Sequence, residues 1–223
     1  MCIKTQPEKE MKNSQGGFTL VEIAIVLVII GLLLGGVLKG QELINQAKIK
    51  NVANDLNGMS AAIYGYQDRY KKFPGDDDQA KTRWTSPATE KGDGNGAVGD
   101  SAIKTILECA VTDKAKENCL FWQHLRLSGF VGGDSATTNA PQNASGGVLQ
   151  AQNGALGLSG LTICTTNLPG KIANAIDAQF DDGRPGTGQV RGTNAPTALD
   201  TKLADTAGYV DDGNTVYVVC KSL

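Results

Sequence analysis

One histidine, 5% aromatic residues and a formal net charge of −2 over 223 residues narrow the field before any motif is read. A near-balanced charge argues against a nucleic-acid-binding protein built on a basic surface. The single histidine, His124, stands beside Trp122 and Leu125 in a short apolar stretch and reads as part of a packed face. A nucleophile elbow, a P-loop and a carboxylate pair with supporting context are all missing, so no enzymatic chemistry is expected. None of the five cysteines forms a CxxC pair, which argues against a zinc site. Proline is absent from Phe18 to Phe73, so nothing there forces a helix to break.

What the chain does have is one long apolar run, GGFTLVEIAIVLVIIGLLLGG, Gly16 to Gly36. From Phe18 to Val37 only Thr19 and Glu22 are strongly polar. About twenty helical residues span the roughly 30 Å hydrocarbon core of a bilayer, so a single membrane-spanning helix is expected. An ordinary secretory signal is the competing explanation, since Lys4, Lys9 and Lys12 precede the run. Such signals carry an apolar core of about 7–15 residues and a small-residue cleavage site. Here the run is longer and continues into LKGQELINQAKIK. The basic leader places the N-terminus in the cytoplasm and everything after Lys39 across the membrane. Cys109, Cys119, Cys164 and Cys220 then fall on the side where disulfides form and persist, and four cysteines allow three pairings.

The helix is predicted to continue well past the apolar run. Ile49, Val52, Leu56, Met59, Ile63, Tyr66 and Tyr70 recur at spacings of three and four, with Lys50, Asn54, Asp55, Asn57, Gln67, Asp68 and Lys71 opposite. Phe73-Pro74-Gly75 stops it, giving one helix of roughly 80 Å from about Phe18 to Lys72. A coiled coil would explain the stripe equally well, but not the glycines and cysteines that follow. After Pro74 the chain reads as short elements and turns. A helix is expected near Leu120 to Val131, a meander of GVLQAQ, ALGLSG and LTICTT, and a helix in LPGKIANAIDAQF. DDGRPGTGQVRG reads as a turn and short strand, and Asn214 to Cys220 as the strongest strand.

GGFTLVEIAIVLVIIGLLL resembles the N-terminal signature of type IV pilins and of the pseudopilins of type II secretion, position by position from Gly17 through Phe18, Thr19, Leu20 and Val21 to Glu22. The resemblance implies a pilin-like α+β fold. Residues 1–17 are the leader, 18–38 the transmembrane half of the long helix, 39–73 its amphipathic half, and 74–223 a head with an antiparallel sheet. If translation starts at Met11, the leader is MKNSQGG. The resemblance also implies a prepilin peptidase that cuts between Gly17 and Phe18, N-methylation of Phe18, and assembly in which Glu22, with Thr19 beside it, pairs with the Phe18 amine of a neighbouring subunit. Each charge alone is costly in hydrocarbon and the pair largely neutralises itself. The competing role for Glu22 is a carboxylate that merely snorkels to the headgroups. Implied partners are the peptidase, other pilin or pseudopilin subunits, the inner-membrane assembly platform and, before assembly, inner-membrane lipid, with the head in the periplasm. No nucleic-acid partner is indicated.

Local spacing and the resemblance together favour Cys109–Cys119 and Cys164–Cys220 as the disulfides. Gly31/Gly35 and Gly36/Gly40 form two small-xxx-small pairs suited to close helix approach. Lys39 stands near where family members often carry a helix-unwinding proline, so any unwinding rests on the glycines. No cofactor is required, but calcium is a candidate ligand of the head loops. As an EF-hand, GDGNGAVGD fails, with Lys91 first and Ala102 twelfth. Asp76, Asp77, Asp93, Asp100, Asp181 and Asp182 remain candidate ligands. The alternative function is a membrane-anchored periplasmic binding module, for calcium or a surface ligand, that never polymerises.

Overall fold

The computed structural model describes residues 17–99, 109, 116–195 and 198–223. The leader before Gly17, with Met11, lies outside them, as does Asp100. The elements in order are α1 (Leu20–Tyr70), α2 (Ala80–Arg83), α3 (Glu117–Leu127), β1 (Leu149–Ala155), β2 (Leu158–Pro169), α4 (Gly170–Phe180), β3 (Val190–Thr193) and β4 (Val216–Ser222). The chain forms two compact units, residues 1–44 and 45–223.

In the first unit the large apolar side chains of α1 lie on the surface. Leu20, Val21, Ile25, Leu27, Leu32 and Leu33 are all exposed, and α1 is the one helix among the described residues that is long and apolar enough to cross a membrane. Gly31, Gly35, Gly36 and Gly40 sit in unbroken helix, with nothing near the place a Cβ would occupy. Helix propensity costs of about 1 kcal/mol per glycine are therefore met here without unwinding.

The second unit is an α+β head. Val52, Leu56, Met59, Ile63 and Tyr66 of α1 are buried in its core, and Ile49 and Tyr70 pack against the edge of that cluster. The stripe read from the sequence is thus the face that the head covers. Each such side chain contributes about 1.5–3 kcal/mol on full burial. They share one buried cluster with Phe121, Trp122 and Leu125 of α3, Ile172 and Ile176 of α4, and Ile163 and Val219 of the sheet. Lys71, in the left-handed region at φ 58°, ends α1 just before Pro74.

The sheet is antiparallel throughout, with order β1-β2-β4-β3. The predicted meander is corrected in one respect: ALGLSG is not a strand of its own. Leu156 (φ 52°) and Gly157 (φ 75°) form the two-residue turn between Ala155 of β1 and Leu158 of β2. Positive φ at both positions matches the twist of paired strands, so an apolar alternation hides a hairpin turn. Helix α3 starts and ends a little earlier than the sequence suggests, at Glu117 and Leu127. Pro169 directly precedes α4, where its missing N–H costs no helical bond.

Candidate functional site

Helix α1 begins two residues after the Gly17–Phe18 junction, and the cause is local. The main-chain N–H and the hydroxyl of Thr19 both donate to Glu22 Oε2 at 2.8 Å, and Glu22 N–H donates back to Thr19 Oγ1 at 3.2 Å. This reciprocal pair is a capping box, T-x-x-E, which satisfies donors that a helix start leaves free. The first helical bond runs from Ile23 N–H to the Thr19 carbonyl. Gly17, Phe18 and Thr19 are non-helical, and the Phe18 side chain is 83% exposed. In the single chain, then, the Glu22 carboxylate already has partners of its own, while the apolar side chains that follow it are exposed.

Residues 12–38 match the prokaryotic N-terminal methylation motif. The chain carries the type IV pilin and pseudopilin signature. The matched stretch contains the whole Gly17–Glu22 constellation and the exposed apolar half of α1. No curated protein matches the chain. The pilin-like architecture of a long apolar N-terminal helix followed by a small antiparallel-sheet head agrees with the motif.

The head holds two disulfides, Cys109–Cys119 and Cys164–Cys220. The second joins residues directly opposite each other on β2 and β4, at the middle of the sheet. The candidate acidic residues separate into three settings. Asp76 and Asp93 come together, joined by Glu117, which no sequence pattern points to because it stands 24 residues beyond Asp93 in a mixed-charge run. Asp181 and Asp182 come together with Asp177, also unforeseen. Asp77 joins neither group. Its Oδ2 accepts from Tyr66 Oη at 2.7 Å and from Arg83 Nη1, and its Oδ1 from Gln79 N–H at 2.9 Å. Burial alone would raise this carboxyl, but the bonds from Arg83 and Tyr66 bring it below the usual carboxylate range.

His124 belongs to the same buried corner. Gly75 N–H donates to its Nδ1 at 2.9 Å, so the proton sits on Nε2 and is given to the Glu90 carbonyl at 3.0 Å. The ring stacks on Tyr66, and burial pushes its pKa down to about 4. Both nitrogens are spent on main chain, as a packing residue requires. Because the folded pKa is depressed, the unfolded chain takes up the proton first as pH falls. Stability is complete above the ordinary histidine pKa and is lost as pH falls towards 4. Between pH 7 and pH 5 the loss is expected to be about 2 kcal/mol. Urea unfolding at both pH values should show a correspondingly flatter dependence in His124→Asn, whose amide oxygen can accept from Gly75 but cannot charge.

Proposed function

We propose that this chain is a structural subunit of a type IV pilus or type II secretion pseudopilus. The apolar half of α1 anchors it in the bacterial inner membrane with the head on the periplasmic side. Prepilin peptidase cuts between Gly17 and Phe18, the new terminus is N-methylated, and subunits assemble through α1 on an inner-membrane platform. Glu22 pairs with the Phe18 amine of a neighbouring subunit. The observation that carries this reading is the methylation-motif match over residues 12–38, whose apolar helix is left uncovered in the single chain. Two disulfides in the head add support, since such bonds persist outside the cytoplasm.

The capping box dictates how the pairing must be tested, because Glu22→Ala removes both the charge and the cap. Glu22→Gln keeps a capping-box residue and removes only the charge; Thr19→Ala keeps the charge and weakens the box, at a cost of about 1 kcal/mol. In cells sheared to release fibres, Glu22→Gln is expected to leave the protein in the membrane and deplete the fibre fraction by about tenfold or more, as loss of a desolvated charge pair demands. Thr19→Ala should retain most assembly. Equal assembly of Glu22→Gln and wild type would remove the charge-pair mechanism. Wild type that never enters fibres would favour a membrane-anchored binding module. Intact mass of the wild type should report a chain beginning at methylated Phe18; a chain that keeps its leader overturns the processing.

A further inference from the structure

We propose that Asp76, Asp93 and Glu117 form a calcium site that fastens the loop 92–99 to the core of the head. The three carboxylates arrive from separate parts of the chain: the turn after α1, the loop itself, and the first turn of α3. Each offers an oxygen, and these oxygens lie within 4.8 Å of one another. Two ligands on opposite sides of a calcium ion, each at about 2.3–2.6 Å, stand about that far apart. Three like charges gathered so closely oppose one another unless a cation joins them. Lys72 and Lys81, two of the cations on the neighbouring turns, are engaged with Asp78 at 3.4 Å and Glu90 at 2.8 Å instead.

A separate observation marks the group as incomplete. Asp76 is 1% exposed, and while its Oδ2 accepts from Gly96 N–H at 3.0 Å, its Oδ1 finds no hydrogen-bond partner among the described residues. An ionised oxygen is rarely buried without a donor or a metal. Burial, with Asp93 close by, holds the Asp76 carboxyl above its usual range, and burial does the same for Glu117. The loop is pressed against this turn: a Cβ on Gly92 would lie 2.3 Å from the Gly75 carbonyl oxygen and 2.4 Å from the Asp76 main chain. Glu117 already receives the N–H groups of Asp93 and Gly99, each at 2.8–2.9 Å, so its carboxylate is held in place for a further ligand. The donors are oxygen only, which selects a hard cation, and their unequal flexibility suits calcium better than magnesium, which demands near-octahedral ligands at about 2.0–2.1 Å.

Asp93 accepts from Asn95 N–H at 3.0 Å and from Asn95 Nδ2 at 2.8 Å. The second acidic group therefore differs at its buried member, Asp177, which has no oxygen left without a donor. Asp177 accepts from Tyr209 Oη and Gly183 N–H, Asp181 from the N–H groups of Gln189 and Val190, and Asp182 from Arg184 N–H and Thr187 Oγ1. Its carboxylates close the α4–β3 connection by hydrogen bonding, and no site is assigned there.

The test uses the full chain in detergent, stripped with EGTA and titrated with CaCl2 by equilibrium dialysis and thermal unfolding. One calcium per chain is expected, with Kd between about 0.1 and 1 mM, the range of extracellular modules. At about 10 mM CaCl2, Tm should rise by about 4–8 °C, and by less with MgCl2. Asp93→Asn, at an exposed position, should weaken binding about tenfold or more while its Tm in EGTA equals or exceeds that of wild type. Asp182→Asn should respond like wild type. Absence of saturable binding to the wild-type chain overturns the proposal without reference to any variant. An equal response to magnesium, an unchanged response in Asp93→Asn, or a response lost in Asp182→Asn overturns it too. None of these outcomes depends on whether the chain enters a filament.

Discussion

Cys164→Ala with Cys220→Ala is expected to lower the stability of the head by about 4 kcal/mol, a fall in Tm of about 8–16 °C. The two cysteines are fully buried and lie opposite each other on β2 and β4, 56 residues apart in sequence. Joining them removes from the unfolded chain the freedom of a long loop, and the loss of that constraint sets the size of the effect. Between them in sequence come α4, β3 and the long connection to β4, so strands adjacent in the sheet are far apart along the chain. The Cys109–Cys119 bond closes a loop of only 10 residues and is expected to contribute less, about 3 kcal/mol. Thermal unfolding of the oxidised full chain, with and without reductant, checks both values. The paired-alanine variant should lose part of the sensitivity to reductant that wild type shows. A Tm within a degree or two of wild type would mean that the strand pairing alone holds β2 to β4.

Arg83→Ala is expected to cost about 3 kcal/mol, more than its position on a four-residue helix suggests. Its guanidinium pairs with Asp77, whose carboxylate is fully buried and also held by Tyr66 and Gln79. Removing Arg83 leaves a buried anion without its counter-charge. The figure is at the low end of the range because the Arg83 side chain keeps 28% exposure and some screening. The guanidinium also lies over the rings of Tyr70 at 4.2 Å and Trp84 at 4.9 Å, contacts that alanine forfeits. The pH dependence separates charge from packing. In wild type the depressed pKa of Asp77 contributes stability above its unfolded value, lost as pH falls through the folded one. Without Arg83, burial raises that pKa, so the penalty is present at neutral pH and relieved as acid protonates the carboxyl. The gap between variant and wild type should therefore narrow from pH 7 to pH 4 in urea titrations. A constant gap would assign the loss to packing alone.

The parts of the fold that were legible are those written in one dimension. The spacing from Ile49 to Tyr70 is a single periodic pattern, and the head packs along it without a slip. Asn214 to Cys220 reads as a strand because Val216, Tyr217, Val218 and Val219 suit a pleated surface, and β4 lies inside the sheet. ALGLSG misleads because its turn is carried by Leu156 where an asparagine or aspartate would have signalled it. At the N-terminal site the residues were legible, but T-x-x-E ahead of an apolar run is also a capping-box signature, which the charge-pair reading passed over and the geometry shows formed. The acidic groups were least legible. Asp76 and Asp77 are neighbours in sequence, yet one faces Asp93 and the other faces Arg83. Which way each turns depends on the path of residues 80–99, and no local spacing encodes that path.

The position of the capping box has a bearing on the proposed cut. Everything that the helix needs for its first turn, the Thr19 carbonyl, the Thr19 hydroxyl and the Glu22 carboxylate, lies on the C-terminal side of the Gly17–Phe18 bond. A protease acting there would meet a peptide outside the helix and would sever no hydrogen bond of α1. The mature terminus would then begin one residue ahead of the capping Thr19, so that the new ammonium group lies outside the helix while the helix behind it stays wound.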